Sequence, residues 1–371
     1  MSRKIKVLHI VGAMAPGGLE NFIMNLFRNI DRERVTFDFV VHARKDGDYV
    51  PELEKSGAKV YLCHRLTAHP LRNLKEIKRI VKENNYDFVI RHTANALVTP
   101  QLLAAKKGGA KTICHAHSTD DPAKLLHKLG RMLMKKAADY RFACSEDAGK
   151  WMYGKQEFVV VKNALDIEKF AYSQEKELEI RREYNCEGRP LFGHIGNLLE
   201  VKNHLFLVEV YAEILKRIPN ALCFCIGEGD MRSKIESRIE ELGISDNVIL
   251  TGMRFDVPKF MSALDVLIFP SIFEGLPLSL IEAQAASLPM IISDRITGDV
   301  EVTEGIVRFM SIDLSPDEWA KKAIEIVGEL GAPNQKSGSR IEQREAIAKH
   351  GYDIEELCRF YESFFEENST E

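Results

Sequence analysis

Short apolar, β-branched runs and stretches with a helical spacing of apolar positions alternate along the whole chain. IKVLHIV, FDFVVHA, KVYLC, FVIRH and KTICHAH read as buried strands; between them the spacing predicts helices from about Glu20 to Asn29, near Tyr49 to Ser56, from about Leu71 to Glu83 and near Val98 to Lys106. A second series opens near Leu191 with LFGHIG, ALCFCIG, VILTG, VLIFP and MIIS, separated by helical patterns through Asn203–Arg217, Arg232–Leu242, Val257–Met261 and Pro277–Ala286, with helices again after Pro316. Strands spaced by helices imply a parallel sheet covered on both faces. The pattern predicts an α/β protein of two doubly wound, Rossmann-like units in tandem, residues 1–172 and 173–351, divided in the charged stretch Ser173 to Arg189. The aromatic-rich helical segment 352–371 is expected to pack back on the first unit. Ligands of such sheets lie beyond the carboxyl ends of the strands, so the loops there are where chemistry is to be sought.

Composition fits this reading. A chain of 371 residues, 45% hydrophobic and 29% charged, exceeds what one core usually organises. Its longest apolar runs, such as Val266 to Pro270, fall far short of the roughly 20 residues that cross a bilayer. The opening MSRKIKVLHIVG turns from basic to apolar like a signal peptide, but Lys6 and His9 interrupt it, and it reads as a first strand. Seven scattered cysteines without a C-x-x-C pair indicate neither a disulfide framework nor a zinc site, and suit a reducing cytoplasm. Charge is divided unevenly: residues 1–170 carry 30 Lys+Arg against 19 Asp+Glu (+11), and residues 171–371 carry 21 against 36 (−15). The basic half is where an anionic partner would be met.

The most informative segment is Pro270-Ser-Ile-Phe-Glu274-Gly275-Leu276-Pro277-Leu278-Ser279-Leu-Ile-Glu282-Ala-Gln-Ala, directly after the strand VLIF. Gly275 and Pro277 mark a turn into a helix, which would leave the amides of Leu278 and Ser279 at a helix amino terminus, a ready site for a diphosphate. Glu274 in the loop and Glu282 on the helix could then contact opposite ends of one ligand. The apolar flanks Phe273, Leu276, Leu278, Leu280 and Ala283 argue against a free surface.

This segment resembles the E-x7-E motif of retaining glycosyltransferase family four, including the flanking P-S-x-x-E-G-x-P and E-A-Q-A. Further segments resemble its exopolysaccharide and capsule subgroup: Gly17-Gly18-Leu19-Glu20, Ala143 to Gly149, Asn163-Ala-Leu-Asp166 and Lys202-Asn203-His204. The resemblance implies a GT-B fold, two Rossmann-like domains facing each other across a cleft, with the acceptor on the first and a nucleotide-sugar donor on the second. It implies that Glu274 lies by the donor sugar, that Glu282 holds the ribose hydroxyls and that Lys202 neutralises the leaving diphosphate. Gly17 and Gly18 would border the phosphates, and Gly227, Gly252, Met253 and Gly275 to Ser279 would line the donor site. His117 resembles the histidine near the transferred sugar, whereas His115 reads as structural. The family's R-x4-K clamp is broken here: Asn197 stands where arginine is usual, and His194 and Arg254 are the candidates to replace its charge. Catalysis is expected without a metal or other cofactor. His115 and His117 share a strand face, but no third ligand follows them at a useful spacing.

Between Pro122 and Tyr140, Lys124, Lys128, Arg131 and Lys135 form one helical face beside Leu125, Leu129, Met132 and Leu133. Such a helix reads either as a peripheral membrane contact for a lipid-linked acceptor or as a core helix with a solvated basic side. The basic clusters carry no aromatic platforms for nucleic acid. The resulting expectation is a cytoplasmic enzyme, working at the inner face of the membrane if the helix binds lipid. It moves sugar from a UDP-sugar to a polysaccharide or lipid-linked saccharide, with retention. A GT-B epimerase and a catalytically weakened partner protein are the alternatives.

Overall fold

The computed structural model describes residues 3–15, 17–42, 49–118, 124–329 and 344–369. The chain divides into two compact units, Met1–Leu165 with Gly351–Glu371, and Asp166–His350. The division comes seven residues before the expected Ser173, because the short helix Ile167–Phe170 packs against the helix Leu278–Ala285 of the second unit.

The first unit is a parallel sheet of seven strands: β1 (Ile5–Ile10), β2 (Val35–Val41), β3 (Val60–Leu62), β4 (Phe88–Thr93), β5 (Lys111–Ala116), β6 (Tyr140–Ala143) and β7 (Val159–Val160). Their order is β3-β2-β1-β4-β5-β6-β7, so the direction of winding reverses between β1 and β4. The strands are mostly buried on both faces because helices cover both, although β1 and β4 carry His9, Arg91 and His92 among their apolar residues. Beneath one face, Phe22 and Phe27 of the helix Gly18–Asn29 share a core with Tyr361 and Phe365 of the helix Ile354–Asn368. That carboxyl-terminal helix is fixed further by Phe364 against Phe88, Tyr140 and Phe142, and by Arg34 ion-paired to Glu362 and Glu366.

The second unit has six parallel strands, β8 (Leu191–Ile195), β9 (Leu222–Ile226), β10 (Val248–Gly252), β11 (Val266–Phe269), β12 (Met290–Ser293) and β13 (Val307–Met310), in the order β10-β9-β8-β11-β12-β13. Its winding reverses between β8 and β11. Cys223 and Cys225 are buried strand residues, and all seven cysteines are free. Strands β6, β7 and β13 are additional to the expected series. The first is half charged or polar at its start, the second is two residues long and the third carries a charged Arg308, so none shows an unbroken apolar run.

Among the described residues no helix is long and apolar enough to cross a membrane.

Candidate active site

In the second unit the loops after β8 and β11 meet where the winding reverses, the position at which open parallel sheets bind ligands. Two hydrogen bonds tie them: the Ile272 amide donates to the Val201 carbonyl (2.8 Å) and the Asn203 amide side chain donates to the Pro270 carbonyl (3.2 Å). Asn203 can do so because it sits in the left-handed region (φ 58°), ending the turn Glu200–Lys202 and starting the helix His204–Arg217. This fixes Lys202, whose Nζ lies 2.5 Å from Glu274 Oε1 and 4.8 Å above the Phe269 ring. Both side chains of the pair are about 15% exposed, shielded enough for the interaction to matter yet reachable by a ligand.

Beyond Glu274 the loop enters the helix Leu278–Ala285. Pro277 is the residue that caps this helix, one place earlier than the first-turn position expected, and no side chain caps the first turn. The amides of Leu278 and Ser279 therefore open the helix with no side-chain acceptor of their own, an arrangement suited to an anion. Leu276, Leu278 and Ser279 are half-buried, and Gly275 is exposed. Phe273, counted above among the residues sheltering the segment, is instead 65% exposed: the loop tip projects its ring outward while Pro277 and Leu280 turn inward. Glu282 follows on the same helix, half-buried, and burial pushes its carboxyl up to about 7, with Lys169 pulling the other way. Lys169 is positioned by Asp166, whose side chain accepts from its backbone N–H at 3.0 Å. Gln284, passed over as part of a motif, is wholly buried and clamps the loop after β12: it donates to the Val300 carbonyl and accepts from the amides of Val302 and Thr303.

The remaining donor-side candidates come from the adjoining strand ends. Gly227 has φ 149° and no room for a side chain, since a Cβ would meet the Gly196 carbonyl oxygen at 2.1 Å. The loops after β8 and β9 are thereby held backbone to backbone, with the Leu198 amide donating to the Glu228 carbonyl (2.9 Å). The Gly227 amide donates to Gly252 across to β10, and Met253 follows, exposed. Asn197 is exposed beside Gly196, at which an added Cβ would lie 3.7 Å from Lys202 Nζ.

Neither candidate for replacing the missing arginine charge does so. His194 is fully buried, its Nδ1 paired with the Ile268 carbonyl, and burial holds it well below the usual imidazole range, so it is neutral. Arg254 is committed to Glu183 and Asp256. Lys202 is the cation paired with Glu274 in the loop after β11.

In the first unit Gly17 precedes, and Gly18 begins, the helix Gly18–Asn29, and a Cβ on Gly17 would meet Glu20 Oε2 at 2.5 Å. Burial raises the Glu20 carboxyl above its usual range. His117 lies just past β5, within hydrogen-bonding distance of His92 on β4. The third ligand missing from the sequence is therefore supplied by the neighbouring strand, where His92 registers with His115; ligand atoms of His92, His115 and His117 lie within 4.8 Å of one another.

The helix Lys124–Ala137 is not a core helix with only its basic side in solvent. Leu125, Leu129, Met132 and Leu133 are 49–78% exposed together with Lys124, Lys128 and Lys135, and Leu126 is exposed as well. Its buried stripe is His127, Met134 and Ala137; His127 accepts from the Ala96 amide and stacks on Trp151. Arg131 departs from the other cations, half-buried against Gly154.

Two Rossmann-like units, the second gathering a cation, two carboxylates and an uncapped helix start at its switch point, define the GT-B class of transferases that use nucleotide sugars. The sequence profile described as "Glycosyltransferase Family 4" matches residues 16–169, and that of "Glycosyl transferases group 1" matches residues 176–337. The chain belongs to this family and is a glycosyltransferase. It is 29% identical to EpsF of Bacillus subtilis (strain 168), named as a presumed glycosyltransferase, over 96% of this chain and 94% of that one. It is 25% identical to the UDP-Gal:alpha-D-GlcNAc-diphosphoundecaprenol alpha-1,3-galactosyltransferase of Escherichia coli, over 78% and 80% of the two chains. Among solved structures, Anabaena HepE in complex with UDP and glucose shares the fold with a TM-score of 0.77 at 19% identity, over 98% of this chain and 99% of that one.

Proposed function

We propose that this chain is a retaining, metal-independent transferase that takes a sugar from a UDP-linked donor and passes it to a lipid-linked saccharide of an exopolysaccharide or capsule, at the cytoplasmic face of the membrane. The observation that carries the reading is the Lys202–Glu274 pair, 2.5 Å apart at the head of the helix Leu278–Ala285. In the ligand-free protein Glu274 holds the ammonium where a diphosphate oxygen would lie. The donor takes over Lys202 and the amides of Leu278 and Ser279, and Glu274 is released towards the sugar. Glu282 binds the ribose hydroxyls, and His117 offers its imidazole to a sugar hydroxyl. The bond from the anomeric carbon to the diphosphate breaks, the acceptor oxygen bonds to the same face, and its proton passes to the departing phosphate oxygen. Lys202 and the helix amides stabilise the charge that develops there.

The UDP donor and the lipid-diphosphate acceptor follow the E. coli relative, whose name contains both, and HepE was solved with UDP. The helix Lys124–Ala137 suits such an acceptor: exposed leucines beside lysines match an anionic bilayer surface. Vesicles containing phosphatidylglycerol should carry the protein upward in flotation at low salt, and vesicles of phosphatidylcholine alone should not; no difference between them ends the membrane part of the reading.

A melting-temperature screen against UDP-, GDP- and ADP-sugars tests the core of it, since a ligand bound only by the native state raises the transition. UDP-sugars should raise it, and Lys202→Ala should abolish the rise. A rise with GDP- or ADP-sugars alone removes UDP, and a rise untouched by Lys202→Ala removes the site.

A further inference from the structure

The carboxyl end of β4 carries a second polar group, on the face away from the histidines. Side chains along a strand alternate between the two faces of its sheet. Phe88, Ile90 and His92 share the face that Phe22 covers, and Val89 and Arg91 the opposite one, where the helices Pro70–Asn84 and Thr99–Gly108 pack. Arg91 is half-buried there and donates only to neutral acceptors: Nε to Gln101 Oε1 (2.7 Å), and Nη1 to the carbonyls of Ile10 (3.0 Å) and His92. A guanidinium has two further N–H groups on Nη2. Among the described residues these have no partner, and no carboxylate is paired with Arg91. The guanidinium is nevertheless held firmly. Gln101, wholly buried, spends its Oε1 on Arg91 while its Nε2 lies 3.1 Å from Asn73 Oδ1 and 3.0 Å from His42 Nε2. Asn73, wholly buried too, donates to the His64 carbonyl (2.6 Å).

Burial has a different outcome on the two faces. Beneath Phe22 it holds His9 and His117 down to about 3 and His92 and His115 well below the usual imidazole range, so these rings give up their charge at pH 7. His42 is likewise held down to about 4, by burial and by Arg91 and Arg65 beside it. Burial lowers Arg91 as well, but only to about 10, and the guanidinium stays charged. A charge taken out of water needs a partner of opposite sign. The surroundings of Arg91 have the same sign instead. Asn73 and Gln101 stand in the first turns of the two helices named above, whose amino ends carry neither a side-chain cap nor an acidic residue. The exposed Arg65 donates from Nε to the His42 carbonyl (3.3 Å). Glu76, on the helix Pro70–Asn84, is taken up by the amide and ring of His64 and by Arg72.

We propose that Arg91, with Arg65 at its rim, is a phosphate site of the first unit, distinct from the donor site of the second, and that it takes a phosphate of the lipid-linked acceptor. The site stands on the geometry of Arg91, whereas giving it to the acceptor rests on the proposed reaction. A phosphate suits the guanidinium because its oxygens can accept both N–H groups of Nη2 while its charge supplies the missing counterion. The same charge is favoured by the two helix amino ends. A sugar hydroxyl could accept one of those N–H groups but would leave the guanidinium as unpaired as before.

Inorganic pyrophosphate is the first probe, on the full chain carrying Lys202→Ala so that the second unit's phosphate site is disabled. It should raise the melting temperature by roughly 3 °C at ten times its dissociation constant. The rise should vanish when Arg91→Gln is added. No rise with Lys202→Ala alone overturns the proposal, as does a rise that survives Arg91→Gln; a carboxylate of the chain already seated on Arg91 would give the first of these results. If Arg91→Gln does not fold, the exposed Arg65 decides: adding Arg65→Ala should weaken pyrophosphate more than twofold, and a smaller loss overturns the proposal. With Lys202 intact, Arg91→Gln should keep UDP affinity within twofold, and a larger loss would give Arg91 to the donor and overturn it equally. Geranyl diphosphate, a short lipid diphosphate, then stands in for the acceptor. It should stabilise the Lys202→Ala protein at least as well as pyrophosphate and lose that effect with Arg91→Gln. Binding of pyrophosphate without geranyl diphosphate would make this a site for free phosphate and overturn its assignment to the acceptor. Neither probe is a sugar donor, so these results stand or fall apart from the UDP screen that tests the proposed reaction.

Discussion

The two units repeat one topology, yet their switch points are furnished in opposite ways. Between β8 and β11 the chemistry lies in the loops: Lys202, Glu274 and an uncapped helix start, all partly open to solvent. Between β1 and β4 it lies in the strands, as neutral imidazoles hydrogen-bonded to one another beneath Phe22. The cause is desolvation. A charge taken into a sheet covered on both faces has to be paired or give up its charge, whereas a charge on a loop keeps contact with water until a ligand arrives. Under the proposed reaction the donor diphosphate, which needs ionised partners, would be met by the loops of the second unit.

The sharpest way to break this contrast is at the Lys202–Glu274 pair. Glu274→Ala should lower transfer by roughly a thousandfold, comparable to removing a preorganised electrostatic group, while UDP binds as before or more tightly, because Lys202 loses its competitor. Lys202→Ala should instead weaken UDP binding. Calorimetric titration of both variants beside a transfer assay decides it. If Glu274→Ala weakened UDP binding as much as Lys202→Ala, the carboxylate would be part of the diphosphate site, and the ion pair would not be a gate.

The different furnishing also explains what was legible in the sequence. Glu274, Pro277 and Glu282 announce themselves because loop chemistry is contiguous: a turn, a cap and a helix run in order along the chain. Lys202 was singled out through the resemblance to the family's clamp, but what holds it beside Glu274 was not legible, because the hydrogen bond from Asn203 to Pro270 joins residues 67 apart. The imidazole series was invisible for the same reason in a stronger form. His9 and His92 are 83 positions apart and come together only through the pairing of β1 with β4. His115 and His117 looked like a pair without a third partner because the third stands on another strand. The apolar pattern also misjudged one surface, at Phe273, and left another open, at the helix Lys124–Ala137. Phe273 and the leucines of the helix Lys124–Ala137 follow an apolar pattern yet are exposed, since a pattern tells which residues share a face and not whether anything covers it.

A second test of the contrast is its pH dependence. The Glu282 carboxyl is raised from its usual range to about 7, so the folded protein keeps a proton that the unfolded chain releases near the usual value. Stability of the ligand-free protein should be full below about pH 4.5 as far as this group is concerned, and should fall as pH rises to about 7. UDP binding should respond in the opposite sense, strengthening through about 7, because the ionised carboxylate accepts from two ribose hydroxyls whereas the protonated form spends one oxygen as a donor. Melting temperature and UDP affinity measured from pH 5 to pH 8 check both, and Glu282→Gln should flatten both. If the pH dependence persisted in Glu282→Gln, it would belong to another group.

The smallest expected effect concerns the residue that departs from the family pattern. Asn197 is exposed, one residue from Gly196, where an added side chain would come within 3.7 Å of Lys202 Nζ. An arginine at position 197, next in the chain to Gly196, is long enough to reach an anion held by Lys202 and could fork onto two phosphate oxygens. It would also face the like charge of Lys202, which Glu274 offsets in the free protein but not once the donor is bound. The net gain should therefore be modest: Asn197→Arg should tighten UDP binding by roughly fivefold at low salt, shrinking as salt screens the partly exposed pair. Transfer at saturating donor should change less, because the second cation acts on ground and transition states alike. A tightening lost in the double variant with Lys202→Ala would mean that the two cations grip one diphosphate, whereas an unchanged affinity would put that diphosphate away from the loop after β8.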